Sequence, residues 1–236
     1  MKDILKELMY SYRDVRFYDN EHIYYNRDKK LISTTTLIKQ FEVPFNKDYW
    51  LKTKALQQGI TPEELEVIWN NKKDAGITKG KYLHNYIENA LQRKFDNSVV
   101  CELKQQAIDF VDKYYAHHIV SELVIGNDLI GGMIDNLSMV DGELWIIDYK
   151  TDKKFSMDSN YFYLPPIDHL PKSEFTKYSL QTSIYRLLLE ERGFMVSKQL
   201  VIWFNEYNNS YTEVACKYLK EECQQLITTY QHSGSS

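Results

Sequence analysis

Residues 130–151 read Ile-Gly-Gly-Met-Ile-Asp-Asn-Leu-Ser-Met-Val-Asp-Gly-Glu-Leu-Trp-Ile-Ile-Asp-Tyr-Lys-Thr. Two strand-like runs flank Asp141-Gly142, a pair well suited to a two-residue type I′ hairpin turn. With those two residues as the loop, Val140 faces Glu143 and Asp135 faces Asp148, their side-chain carbons about 4.5–5.5 Å apart. Like charges directly opposite one another destabilise a sheet, so a chain that keeps them is expected to bind a cation between them. Side chains alternate along a strand, so Lys150 joins Asp148 on one face while Ile147 and Tyr149 take the other. Two carboxylates and an ammonium on one sheet surface suit metal-assisted attack on a phosphodiester. The acids offer the oxygen ligands that a hard cation prefers, and the lysine positions water or neutralises developing charge. The competing reading is a solvated hairpin with an ordinary surface ion pair. Leu144-Trp145-Ile146-Ile147 weighs against it, because so apolar a strand is mostly buried and buried carboxylates need partners.

The chain has 236 residues, enough for one α/β domain with additions and a sizeable core. No repeat, low-complexity tract or linker divides it, so a single domain over 1–232 is expected, with residues 233–236 as a disordered tail. No run of about eighteen apolar residues predicts a membrane span. The opening Met-Lys-Asp-Ile-Leu-Lys-Glu-Leu is too charged for a secretory signal. Cys101, Cys216 and Cys223 form no Cys-x-x-Cys pair, which points to a reducing, cytoplasmic setting and away from structural zinc or an iron–sulfur cluster. A net charge of −4 does not advertise a nucleic-acid binder. Lysines nevertheless group as Lys72, Lys73, Lys79 and Lys81, then Lys150, Lys153 and Lys154, then Lys172 and Lys177 with Arg186. A basic groove and scattered solvated lysines are both open readings.

Residues 15–32 predict a polar hairpin that turns through Asn26-Arg27-Asp28, after which Ser33 or Thr34 can cap a short helix through Leu37 and Ile38. Thr61-Pro62-Glu63-Glu64 carries the signals of a helix start, and that helix is expected to reach about Lys73 and end near Gly76. A further helix is expected from 78–80 through Gln92, with Leu83, Ile87, Ala90 and Leu91 buried. His84 and Glu88, four apart, share a face beside that stripe. On this helix alone His84 reads more readily as a satisfied core histidine than as a ligand. A helix over 103–116 and a strand over 119–125 follow, and Glu122 in mid-strand is open between a third metal carboxylate and an ordinary ion-pair partner. Residues 176–192 form the clearest amphipathic helix, stopped by Gly193, with Gln181 and Tyr185 sharing one ridge. Strands over 199–205 and 211–216 and a helix over 219–230 complete the chain. Between Asp152 and Lys177 the connection is long, and its Tyr161, Phe162 and Tyr163 either stack on unpaired bases or pack the loop onto the body.

Taken in order, Gly80-x-x-x-His84-x-x-x-Glu88, Glu122, Gly132-x-x-Asp135, Asp148-Tyr149-Lys150-Thr151 and Gln181-x-x-x-Tyr185 resemble the PD-(D/E)XK nuclease superfamily, most closely its RecB-type branch. Ile32-Ser33-Thr34-Thr35-Thr36-Leu37-Ile38 is similar to the Ser-Val-Thr-Thr segment of mitochondrial genome maintenance exonucleases and related phage exonucleases. The resemblance implies an α/β fold with a restriction-endonuclease-like core, a central mixed sheet flanked by helices. It places a hairpin and helical extension at 15–76 and the catalytic core at 78–216. The implied activity is metal-dependent exonucleolytic hydrolysis of DNA at single-stranded or frayed ends. A structure-specific endonuclease and a catalytically idle nucleic-acid-binding module are the alternatives.

The resemblance assigns catalysis to Asp135, Asp148, Lys150, Gln181 and Tyr185. It assigns metal binding to His84, Asp135, Asp148 and the Tyr149 backbone carbonyl, with Glu122 a weaker match. It assigns nucleic-acid contacts to Ser33, Thr34, Thr35, Lys79, Lys81, Lys153, Gln181 and Tyr185. The implied cofactor is Mg²⁺ or Mn²⁺, and a histidine ligand favours manganese. Many relatives hold an iron–sulfur cluster through cysteines that this chain lacks, and its first acid follows Met-Ile rather than a proline. DNA, and phage or host replication and recombination proteins, are the implied partners in a phage or bacterial cytosol. No membrane partner and no particular oligomeric state is implied.

Overall fold

The computed structural model describes residues 2–94 and 103–233. Helix α1 (Lys2–Ser11) buries Leu8 and leads into three antiparallel strands, β1 (Val15–Tyr18), β2 (Ile23–Asn26) and β3 (Lys29–Ser33). Ser33 caps α2 (Thr34–Lys39), its hydroxyl accepting the Thr36 N–H at 3.1 Å. Helix α3 (Lys47–Gln58) packs on the first half of α4 (Pro62–Leu91) through Leu51, Ala55 and Leu65. Neither α1 nor α3 is signalled by the sequence pattern.

The helix start at Thr61 is a full capping box. Glu64 N–H donates to the Thr61 hydroxyl at 3.1 Å, and Thr61 N–H to the Glu64 carboxylate at 2.8 Å. Against expectation, α4 then continues past Gly76 as one unbroken helix of 30 residues. The boundary expected between an extension ending at 76 and a core starting at 78 therefore falls inside one helix. A glycine ends a helix when it takes the left-handed conformation just past the last turn. Gly59 (φ 67°) does this after α3 and Gly193 (φ 86°) after the helix Glu174–Glu190, whereas Gly76 is not a positive-φ residue. Inside a helix it carries only the ordinary entropic cost, about 1 kcal/mol relative to alanine.

Beyond α5 (Lys104–Tyr114) come β4 (His118–Gly126), β5 (Ile130–Val140), β6 (Glu143–Lys150), α6 (Glu174–Glu190), β7 (Val196–Trp203), β8 (Thr212–Ala215) and α7 (Lys220–Ser233). Ser233 closes α7 rather than opening a tail; residues 234–236, like Cys101, lie outside the described residues. Cys216 and Cys223 are free. No helix among the described residues is long and apolar enough to cross a membrane.

The strands form one mixed sheet of eight in the order β1-β2-β3-β5-β6-β7-β8, with β4 paired to β5 as a branch. β3 with β5 and β6 with β7 are parallel, and the other pairs are antiparallel. Helices cover both faces. Leu144 and Ile146 of β6 enter the core shared with α1, α2, α6 and α7, while Ile147 and Tyr149 enter the core shared with α4 and α5. Burial on both faces accounts for the unbroken apolar run in this strand. The turn forms as the dipeptide predicts: Asp141 (φ 52°) and Gly142 (φ 81°) are both left-handed, and Val140 faces Glu143.

One feature of the sheet makes room for a site. β4 occupies one edge of β5 from Gly131 to Ser138. β3 and β6 must then share the other edge, β3 at Ile130 and Gly131, β6 only from Asn136 onward. Between them residues 132–135 have no ladder partner on that side. The connection from β6 to α6 folds back on the body: Tyr163 and Ile167 are buried, and the Leu164 N–H donates to the Phe41 carbonyl at 2.7 Å. Tyr161 and Phe162 remain exposed, so the aromatics of this segment divide between packing and solvent.

Gly76→Ala tests the continuity of α4. A Cβ there meets no atom within 4 Å, so the substitution should raise stability by about 0.5–1 kcal/mol in urea denaturation. A loss of stability would mean that this glycine bends the chain.

Candidate active site

The regular β5–β6 ladder ends at Asn136 and Ile147. One residue further, Asp135 Oδ2 accepts the backbone N–H of Tyr149 at 2.7 Å. A side-chain carboxylate thus takes the place of a backbone carbonyl and is fixed between two diverging strands. Its other oxygen lies 3.8 Å from His84 Nδ1 on α4. Glu122 would face Asp135 in the β4–β5 register, but that pair is missing from the ladder because Glu122 has φ 51°. A non-glycine residue held there costs on the order of 1–3 kcal/mol, and such strain gathers at functional sites. The turn brings Glu122 Oε1 to 3.9 Å from His84 Nδ1. His84, Glu122 and Asp135 each present one ligand atom, all within 4.8 Å of one another.

Asp148 lies beside this group, almost fully buried, with Oδ1 accepting from Gln181 Nε2 at 3.2 Å. The Lys150 ammonium pairs with its Oδ2 and sits 4.9 Å above the Tyr178 ring. Gln181 Nε2 also reaches the Tyr185 hydroxyl at 3.0 Å. Burial pushes the Asp148 carboxyl up to about 6, with Lys150 pulling down and Asp135 pushing up. Burial also drives Glu122 up to about 8, reinforced by Asp135, Glu88 and Asp148. Lys150 goes the other way from what burial alone would do: desolvation lowers it, but Asp148 and Asp135 together raise it, so the ammonium persists at neutral pH.

His84, Glu122, Asp135, Asp148 and Lys150 therefore meet at one end of the β5–β6 hairpin. Glu122, which the sequence left open, lies in one group with His84 and Asp135. The set nearest to sharing an ion differs from the one that the resemblance implies: it contains Glu122 and leaves Asp148 with Lys150 and Gln181. The Tyr149 side chain takes the opposite face, its hydroxyl accepting from Asn136 Nδ2 at 2.9 Å and its ring edge-on to His84 at 5.3 Å.

Several assigned nucleic-acid contacts are spent elsewhere. Gln181 and Tyr185 are buried against Asp148, where Gln181 donates to that acid and to the Tyr185 hydroxyl. Thr34 is 1 % exposed and donates to the Gly131 carbonyl at 3.2 Å, while the Ser33 hydroxyl caps α2; Thr35 is exposed. Lys79 pairs with Glu206, Lys153 stands 5.6 Å from the Tyr207 ring centre, and Lys81 is exposed. Lys172 and Arg186, bound to Glu42 and Glu190, belong to other surfaces.

Two supporting residues escaped the sequence reading. Tyr178 underlies Lys150 and donates its hydroxyl to Asp152; its position three residues before Gln181 on α6 was the available signal. Asn136, fully buried, holds Tyr149 against His84. With Asp135 and Ser138 polar beside it, nothing in the sequence marked it out.

No family model and no curated protein that the chain was compared with matches it. Among solved structures, one described as "Crystal structure of SSO0001" is similar over 96 % of this chain and 82 % of that chain, with 14 % identity and a TM-score of 0.39. A likeness that slight carries no argument about function.

Two carboxylates and an imidazole on converging elements fit a divalent cation that accepts oxygen and nitrogen ligands. The raised Glu122 carboxyl gives a test that needs no substrate. Its unfolded value is near 4.5 and its folded value about 8. Between those pH values the folded protein holds a proton that the unfolded chain has shed, so stability falls as pH rises. In chelator, the urea midpoint should drop from pH 5 to pH 8. Added Mn²⁺ or the substitution Glu122→Gln should flatten that slope. An equally steep slope in Glu122→Gln would show that the carboxylate does not carry it.

Proposed function

We propose that this chain is a divalent-metal-dependent deoxyribonuclease with a PD-(D/E)XK core, acting on single-stranded or frayed DNA ends. The observation that carries the reading is the convergence of Asp135, Asp148 and Lys150 at the parting of β5 and β6, with His84 and Glu122 against Asp135. Acid, acid and lysine on the same two strands, joined by a histidine from a crossing helix, match the order and spacing of that superfamily's motifs.

His84, Glu122 and Asp135 would hold the ion, with Asp148 and the Tyr149 carbonyl as further oxygen donors. Mg²⁺ or Mn²⁺, when bound, supplies Lewis acidity at the phosphoryl group and lowers the pKa of a bound water. The remaining chemistry belongs to the chain. Lys150, held charged by its acidic neighbours, can donate to a phosphoryl oxygen as negative charge builds there. Asp148, anchored by Gln181, keeps that ammonium in place, and Tyr185 in turn restrains Gln181. Asp135 is fixed by the Tyr149 N–H, so its free oxygen needs no reorganisation to serve as a ligand.

Asp148→Ala and Lys150→Ala should each lower cleavage of end-labelled single-stranded DNA by a factor of roughly 10² or more, in Mg²⁺ or in Mn²⁺. Circular dichroism should show both variants folded. Cleavage near the wild-type rate by either folded variant would overturn the assignment. Single-stranded circles left intact while linear strands are degraded would mark the enzyme as end-dependent.

A further inference from the structure

Helix α4 crosses the end of β6 at Gly80, where a side-chain carbon would lie 3.5 Å from Thr151 Oγ1. From that crossing the helix runs in two directions. One turn onward it delivers His84 to the acidic cluster. Backward, Lys72, Lys73 and Lys79 form one wall of a cleft of about 730 Å³. Its opposite wall includes Lys153, three residues after Lys150, and Tyr207 from the segment that follows β7. That volume is in the range of sites that enclose a ligand group.

The charges of the cleft do not cancel internally. Four lysines (Lys72, Lys73, Lys79 and Lys153) stand against two acids, Asp152 and Glu206, of which Glu206 pairs with Lys79. Among the described residues, Lys72, Lys73 and Lys153 have no carboxylate at ion-pair distance. Tyr207 is 66 % exposed, with Lys153 Nζ 5.6 Å from its ring centre. An excess of lysines beside a largely exposed tyrosine forms a surface that suits a single-stranded polyanion with stacking bases.

The geometry points to this cleft as a holding site for the nucleic-acid strand on one side of the reacting phosphate, which makes a polynucleotide, and not a dinucleotide, the substrate. The inference rests on the nuclease reading for its reacting phosphate and adds the length and kind of strand. Lys73 and His84 are separated by about 16 Å of helix axis at about 1.5 Å per residue. A stacked strand advances about 3.4 Å per phosphate, so that interval takes about five phosphates, and fewer of a stretched strand. Strands shorter than this reach the acids or Lys72 and Lys73, but not both.

The test is binding of fluorescent single-stranded DNA to the full chain in EDTA, with strands of twelve and of three nucleotides. Wild type should bind the longer strand at least about tenfold more tightly, with a salt dependence set by its phosphate contacts. Lys72→Glu combined with Lys73→Glu, on an exposed stretch of helix, should remove that preference. It should also flatten the slope of log affinity against log salt by about 1.4, at about 0.7 per lost contact. Lys153→Glu, on the other wall, should do the same by about half and serves if the double variant does not fold. Equal affinity of wild type for both lengths, or wild-type affinity and salt slope in the folded variants, overturns the cleft. The two proposals fail separately. Length-dependent binding without cleavage in either metal keeps the cleft and removes the proposed chemistry. Cleavage with the salt slope unchanged in the variants keeps the chemistry and removes the cleft.

Discussion

A single hydrogen bond organises the functional end of this protein: the Asp135 carboxylate accepts the Tyr149 backbone N–H at the point where β5 and β6 separate. Had the ladder continued, that N–H would have met a carbonyl and the Asp135 side chain would have stood off the sheet face. Because β6 pairs only from Asn136 onward, and β3 only at the first two residues of β5, a side chain fills the vacated position. The substitution satisfies a buried donor and at the same time immobilises an acid. It also directs the free oxygen toward His84 on the crossing helix. A sheet that closed this gap would have lost the cluster.

Concentrating acids there is costly, and the surroundings show how the cost is offset. Asp148 is almost fully buried, which alone would neutralise it, yet the Lys150 ammonium and the Gln181 amide favour its charged form. Lys150 is shielded in turn and remains charged because two acids outweigh its desolvation. Glu122 has no such ammonium and rises furthest. The balance is uneven: no ammonium stands on the His84 side, where a bound cation would favour the charged form of Glu122. Strain follows the same distribution, since Glu122 is also the residue held at positive φ in mid-strand.

The hairpin, its turn and its register as far as Asn136 and Ile147 were legible because each depends on neighbours in sequence, whereas the expected facing of Asp135 and Asp148 falls one step beyond the last ladder pair, where the strands part. Asp141-Gly142 dictates the turn, and the turn dictates every pair along the ladder. The capping boundary at Thr61 and the stop at Gly193 were legible for the same reason. Gly76 misled because a glycine in a helical pattern looks alike whether it continues the helix or ends it; only the backbone conformation separates the two. The Gln181 and Tyr185 ridge was visible as a motif, but nothing local says that α6 packs it against Asp148. Thr34 likewise has the composition of a ligand contact and the environment of a packing residue.

The amino-acid sequence by itself determined the type I′ hairpin, the alternation that puts Asp148 and Lys150 on one face, and most helix ends, all of which follow from interactions spanning a few residues. Only the tertiary structure decided that His84 and Glu122 join Asp135 and that Asp148 turns to Lys150 and Gln181. It also decided that α4 continues from the acids to a lysine-lined cleft. Those outcomes depend on where a thirty-residue helix crosses a sheet and where two strands part. Such geometry is set by the packing of two cores against opposite faces, and that packing is summed over contacts distant in sequence.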